Sequence, residues 1–266
     1  ASQISDGVWV GSLTEIEYVK GYWVTICGDE DIVLTNTGYE IDSDDVIMDL
    51  HSGNNLIGFP FDMEIDISSA IPDSIEYLFN GIIGEGVAAQ QISPLFWAGS
   101  LSEWSGGSGY WVKLEEGIDD FSFDLNEFSK IKSDDSKLNN NIFDYNQSIN
   151  QAFYFIENIN LSGLTIDEYW ILSFCGETLS GAREWIGSYT DIPVMGNDDF
   201  EHTDGYCNNG QLPHFKLYDY NNDQYMSLEG NVEPWSNNGL FTISELEIVI
   251  ETPETYLLME PYPNPF

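Results

Sequence analysis

Short apolar runs separated by glycine, proline and acidic turns recur along the chain, and they read as strands. Val46–Leu50, Asn55–Phe61, the glycine-punctuated Gly81–Ala89 and Gly109–Leu114 carry this pattern in the first half, with Ile32–Thr35 as a further short run. One segment departs from it. In Ile71–Phe79, Pro72 or Asp73 stands at the start, Glu76 lies in the first turn, and Ile75, Leu78 and Phe79 fall at helical spacing, which predicts a helix. Beyond Gln147 the runs Gln151–Ile156, Glu168–Phe174, Pro213–Tyr218 and Phe241–Ile250 are strand-like. Turn clusters such as Gly196–Asp199 and Asn208–Gly210 separate several of them, and no helical pattern intervenes. The expected fold is mainly β with minor α: tandem α+β repeat modules followed by an antiparallel β-sandwich.

The repetition is explicit. Ala1–Val24 and Ala89–Val112 align without a gap at a constant offset of 88, with 13 of 24 positions identical. The identities include Trp9/Trp97, Gly11/Gly99, Ser12/Ser100, Leu13/Leu101 and the whole of Gly21–Val24 and Gly109–Val112. Residues shared between copies are expected to hold the shape of the module, because repeats preserve what stacks them. Tyr22 and Trp23, like Tyr110 and Trp111, suit a half-buried pleated surface where rings pack across strands. Any difference in binding is expected where the copies diverge: Asp6/Pro94, Ile16/Trp104, Tyr18/Gly106 and Lys20/Ser108. Trp104 stands where the first copy has Ile16, so it is expected to be the aromatic freest to be exposed and is the candidate ligand-binding ring.

The segment before Ala89 has no counterpart before Ala1, so the chain is expected to begin inside a repeat and to be a central stretch of something longer. Residues 1–52 read as the end of a first repeat with an acidic connector, 53–128 as a second, complete module, and 129–146 as a polar linker. Residues 147–252 read as the β-sandwich and 253–266 as a tail leading toward a further domain.

Charge narrows the partners. Forty-six Asp and Glu against seven Lys and Arg give a formal net charge of −39. Such a surface repels phosphate backbones, which need cations to displace their counter-ions, and it repels anionic lipid headgroups. Nucleic-acid binding and membrane insertion are not expected. Self-repulsion on this scale is relieved by salt or by bound cations, which fits a saline extracellular setting with Ca2+ taken up by oxygen ligands; an acidity that only keeps the protein in solution is the plainer reading. No apolar run approaches the ~18 residues that cross a bilayer. Cys175 and Cys207 lie in one expected domain and could pair if the chain is exported, with Cys27 left over; three small buried residues are the other reading.

The pattern Asn55–Phe61, Gly84–Ala89, Trp97–Leu101 and Gly109–Val112 resembles repeat modules of large secreted proteins from Bacteroidota-like and marine bacteria. The stretch containing Trp170–Phe174, Gly181–Arg183, Asp191–Gly196 and Phe215–Tyr218 looks like a β-rich module found beside them. Tyr262, Pro263, Asn264, Pro265 and Phe266 are similar to the opening of the C-terminal sorting domain of type IX secretion substrates. That resemblance implies export across the outer membrane and a location at the cell surface or outside the cell.

Candidate chemistry is sparse. His51, His202 and His214 are the only histidines, and no Gly-x-Ser-x-Gly elbow accompanies them. Cys207 between His202 and His214 permits a Cys–His pair, against the simpler reading of loop residues at a sandwich rim. Among so many acids, sequence cannot choose the two opposed carboxylates of a glycosidase. Asp219, Asn221 and Asp223 place oxygen at positions 1, 3 and 5 of a Ca2+ loop, but Gln224 and Gly230 stand where an EF-hand has Gly and Glu, and a hairpin turn explains the run equally. A second carboxylate cluster runs from Gly196 to Asp204. The expectation is a secreted, non-enzymatic structural or adhesive surface protein that associates with itself or with other surface proteins, for instance as a subunit of an extracellular assembly or filament. The rival is a glycan-binding region of a secreted polysaccharide-degrading enzyme.

Overall fold

The computed structural model describes residues 1–26, 39, 41–125, 142–161 and 168–249. Of these, 46% are strand, and the 4% that are helical belong to 3-10 turns at Ser43–Asp45, Glu76–Leu78 and Glu201–Thr203. Among the described residues no helix is long and apolar enough to cross a membrane. Cys27, the run Ile32–Thr35 and the motif Tyr262–Phe266 lie outside the described residues.

The N-terminal strands are β1 (Ser2–Ser5), β2 (Val8–Val10), β3 (Met48–Leu50), β4 (Gly53–Gly58), β5 (Glu64–Asp66), β6 (Phe79–Ile83), β7 (Ala88–Ser93), β8 (Phe96–Gly99), β9 (Glu103–Ser105), β10 (Gly109–Leu114) and β11 (Ile118–Phe121). An antiparallel sheet runs in the order β4-β10-β6-β7-β8, and the pairs β3–β11, β5–β9 and β1–β2 stand apart from it. Alternation explains why β10 is central. Tyr110, Val112 and Leu114 point into one core with Ile57, Phe59, Phe79 and Ile82, while Trp111 points the other way. The small pairs contribute Met48, Leu50, Ile65, Trp104, Ile118 and Phe121 to that same core.

Trp104 corrects an expectation. It is fully buried, ringed by Tyr110 at 4.8 Å, Phe123 at 5.1 Å and Phe59 at 6.0 Å between ring centroids, and its Nε1 donates to the Ile67 carbonyl at 3.3 Å. Divergence between the copies predicts a surface residue; here it is the middle of an aromatic cluster. The helix expected over Ile71–Phe79 is shorter. Ile75 and Glu76 both donate to the Pro72 carbonyl, a 3-10 turn covers Glu76–Leu78, and Phe79 is already in β6, paired with Leu114. One turn gains too little hydrogen bonding to outlast capture of Phe79 by the sheet.

The C-terminal strands are β12 (Gln151–Ile156), β13 (Ile159–Asn160), β14 (Tyr169–Cys175), β15 (Thr178–Glu184), β16 (Thr190–Met195), β17 (His214–Asp219), β18 (Gln224–Gly230), β19 (Leu240–Ile243) and β20 (Leu246–Ile248). A three-stranded sheet, β16-β12-β19, and a six-stranded sheet, β13-β20-β18-β17-β14-β15, enclose Tyr154, Ile171, Ile192, Phe215, Leu217 and Leu246 in a sandwich-like core. The pairing is mostly antiparallel, but β12 runs parallel to β19 and β13 to β20. The run Phe241–Ile250 is thus two strands in different sheets, broken at Ser244 and Glu245. Residues 142–146, expected to close a linker, are packed: Phe143 sits 5.2 Å from Tyr218, and the Asn146 amide donates to the Tyr206 hydroxyl at 2.8 Å.

Strand β12 explains how the two cores meet. All six of its residues are buried. Ala152, Tyr154 and Ile156 face the sandwich core, whereas Phe153 and Phe155 face the other way, against Ile83, Ala88, Trp111 and Leu240. A strand apolar on both faces needs cover on both, and the N-terminal sheet supplies it. Replacing Trp104 by Ala is expected to lower the free energy of unfolding by about 3–5 kcal/mol, as for other large-to-small changes in a closed core. Urea unfolding followed by circular dichroism measures this; a change below ~1 kcal/mol would place the ring outside the core.

Candidate functional site

The sequence repeat is a structural repeat down to single hydrogen bonds. In the second copy β7 and β8 pair as Gln90↔Ala98, Gln91↔Trp97 and Ser93↔Phe96, with an irregularity before Ser93. In the first, β1 and β2 pair as Ser2↔Val10, Gln3↔Trp9 and Ser5↔Val8, each position 88 lower, with the same irregularity. The hairpin turn places Gly7 at φ 70° and Leu95 at φ 63°, the left-handed region that glycine enters freely and leucine does not. Next, Lys20 N–H donates to the Glu17 carbonyl at 3.1 Å, as Ser108 does to Ser105 at 3.2 Å. The Tyr22 hydroxyl accepts from the Glu17 amide at 2.9 Å, as that of Tyr110 does from Ser105 at 2.8 Å. These bonds are local, so the sequence alone reproduces them.

Everything non-local differs. Leu101 and Trp97 pack on the N-terminal core, and the Trp97 Nε1 donates to Glu76 Oε1 at 2.7 Å; their counterparts Leu13 and Trp9 are exposed. Trp104 and Val112 are 0% exposed, while Ile16 and Val24 are 78% and 67% exposed. β9 is a strand because β5 pairs with it, and the equivalent Glu15–Glu17 has no such partner and is not a strand.

The first copy docks on the second module at one place. Lys20 forms a bridge to Ile57 on the edge of β4 opposite β10; Gly58 N–H donates to the Val19 carbonyl at 2.9 Å and Gly21 N–H to Leu56 at 3.3 Å. The approach is close enough to require glycine. A Cβ on Gly58 would lie 2.8 Å from the Tyr18 carbonyl oxygen, and one on Gly21 2.8 Å from that of Ile57. A groove of about 490 Å3 results, lined by Tyr22, Trp23, Glu85, Glu103 and Trp111 among others. Trp111, which lines it, has a buried Nε1 without a hydrogen-bond partner among the described residues.

Where the two cores meet, a polar cluster sits beside the apolar one. Arg183 Nη2 lies 3.3 Å from Asp191 Oδ2 and donates to the Gly86 carbonyl at 2.8 Å; Ser100 Oγ donates to Asp191 Oδ2 at 2.7 Å. Gln151 donates to the Gly84 carbonyl at 2.9 Å and accepts from the Gly86 amide at 3.2 Å. Burial holds the Asp191 carboxyl above its ordinary value, against the opposing pull of Arg183 and Ser100. The sequence reading passed over this cluster, although one arginine among 46 acids was a signal that its position matters.

The other candidates fall as follows. Cys175 and Cys207 are joined in a disulfide with Cα atoms 5.1 Å apart, so Cys207 has no free thiol to pair with His202 or His214. His202 Nε2 is 4.0 Å from Asp198 Oδ2, and His214 stacks on Phe174, its imidazole held below its ordinary value by burial and by Lys216. Asp219 closes the β17–β18 hairpin: Oδ1 accepts from the Asn222 amide at 3.0 Å and Oδ2 from its Nδ2 at 2.8 Å. Asp223 accepts from the Tyr218 hydroxyl at 3.0 Å, and Asn221 is exposed at the tip. In the Gly196–Asp204 stretch, Asp198 Oδ1 accepts from the Phe200 amide and the Thr203 hydroxyl. Among the described residues no three His, Cys, Asp or Glu gather as a metal site would require. A second depression of about 700 Å3 beside His214 is rimmed by Glu229, Glu245 and Glu247.

No protein-family model, curated protein or solved structure matches the chain.

Because the folded state raises the Asp191 affinity for a proton, this group favours folding most below its ordinary value of 3.8 and loses that contribution as pH rises through its folded value. The stability of the protein minus that of an Asp191→Asn variant is therefore expected to fall as pH increases from about 4 to about 7. Urea midpoints at a series of pH values measure it, and a difference that rises with pH would contradict the assignment.

Proposed function

We propose that the protein is a non-enzymatic structural or adhesive component of an extracellular assembly, working through contacts made by its repeats. The observation that carries this reading is the first repeat copy: a folded hairpin and loop that docks on β4 while leaving Ile4, Trp9, Ile16, Val24 and Ile26 at the surface. Five large apolar side chains exposed within 26 residues, on a chain of formal net charge −39, are costly to leave wet, and such concentrations mark interaction sites. The Cys175–Cys207 disulfide supports an oxidising compartment, as does the resemblance of Tyr262–Phe266 to a secretion signal. Acidity supports a saline setting, where cations, Ca2+ among them, screen the repulsion between copies.

Glycan binding is the second reading, favoured by the groove that carries Tyr22, Trp23 and Trp111 between the two copies. Saturable binding on a glycan array that Trp23→Ala abolishes would establish it.

Association of the intact chain is expected to strengthen as salt rises from about 0.1 M to about 1 M, where the screening length shortens from about 10 Å to about 3 Å. Sedimentation velocity at several concentrations reads this directly. Monomers at every salt concentration, with and without Ca2+, would overturn the assembly reading.

A further inference from the structure

The second repeat copy shows what covers four of the apolar residues that the first copy exposes. Val112 and Leu114 pair across to Ile82 and Phe79 of β6, Trp104 lies against Phe59 and the Ile67 carbonyl, and Trp97 bonds Glu76. These partners fall between residues 53 and 83; Trp104 also meets Tyr110 of its own copy and Phe123. The equivalent positions Val24, Ile26, Ile16 and Trp9 keep apolar side chains of the same kind, yet each is exposed. The local framework is already set: same hairpin register, same left-handed turn position, same tyrosine-capped turn. Among the described residues, nothing plays for the first copy the part that residues 53–83 play for the second.

We infer that residues 1–26 are a preformed half-module whose partner is a polypeptide segment with the sequence pattern of Gly53–Ile83. That segment lays a β6-type strand along Val24 and Ile26 and an aromatic of the Phe59 kind over Ile16. The partner is not the β4–β6 stretch of a second folded copy. In this chain β6 is already bonded on both edges, by β10 and β7, and β4 by β10 and the Lys20 bridge. Binding leaves the β4 dock in place, because the dock uses the Val19 carbonyl and the Gly21 amide, whereas the second copy bonds Phe59 through the Gly107 amide and the Ser108 carbonyl, the equivalents of the Val19 amide and the Lys20 carbonyl. The same segment therefore presents two surfaces, one held by the module beside it and one open to the complementary half. This inference rests on the reading of an assembly protein and names the chemistry of the partner.

The test uses the intact chain and a synthetic peptide of the Gly53–Ile83 sequence, with 5-fluorotryptophan reporting on Trp9 by fluorine NMR. One peptide is expected to bind per chain, to shift the Trp9 signal, and to bind at least tenfold more weakly to an Ile16→Asp, Val24→Asp variant. Both positions are exposed, so the variant is expected to keep the unfolding midpoint of the parent. No saturable binding up to about 100 µM, a free energy of roughly 5.5 kcal/mol, would overturn the inference. So would equal binding by parent and variant, which would mean that the peptide enters the second module instead. Self-association without peptide binding overturns this inference alone, whereas peptide binding to a strictly monomeric chain sustains it and counts against the assembly reading.

Discussion

Strand β4 is bonded along both of its edges by pieces of the two repeat copies. Ile57 pairs with Tyr110 of the second copy on one side and with Lys20 of the first on the other. A sheet edge offers unpaired N–H and C=O groups that must find partners, and here the neighbouring repeat provides them. Backbone can come this close only where side chains are absent, so Gly21 and Gly58 stand at the contact. The groove between the copies, the exposure of the first hairpin and the closing of the five-stranded sheet all follow from this placement.

The far side of that sheet is fixed by a different constraint. β12 is apolar on both faces, and Phe153 and Phe155 need cover that the sandwich does not give. Ile83, Ala88 and Trp111 provide it, and hydrogen bonds from Arg183, Ser100 and Gln151 satisfy the Asp191 carboxyl and the Gly84 and Gly86 carbonyls buried alongside. A buried ion pair adds little stability by itself, because desolvation offsets attraction. Its geometry does set how the two parts meet: Arg183 reaches Asp191 on its own part and Gly86 on the other. Specific orientation, more than strength, is what this cluster contributes.

Strands were legible in the sequence wherever an apolar run was bounded by turn residues, as in Gln151–Ile156 and Gly109–Leu114, because such runs have one way to bury both themselves and their backbone. The mainly β class followed from them, and the repeat was plain from identity alone. Ile71–Phe79 misled because three apolar residues at helical spacing are also what a turn leading into a strand can carry. Trp104 misled for a deeper reason. Comparison of two copies assumes that equivalent residues share an environment, and here one copy lies in a closed core while the other is open. The groove and the Asp191 cluster bring together residues up to about a hundred positions apart, and local patterns carry no trace of that.

Amide hydrogen exchange at Gly58 tests the central claim, that a copy of the repeat closes the free edge of β4. Its N–H donates to the Val19 carbonyl at 2.9 Å and to nothing on the β10 side, so only the first copy can protect it. The account predicts exchange at least about 100-fold slower than in an unstructured chain, as for the amides of β10. A Gly58 amide that exchanges at the unprotected rate while β10 remains protected would contradict it.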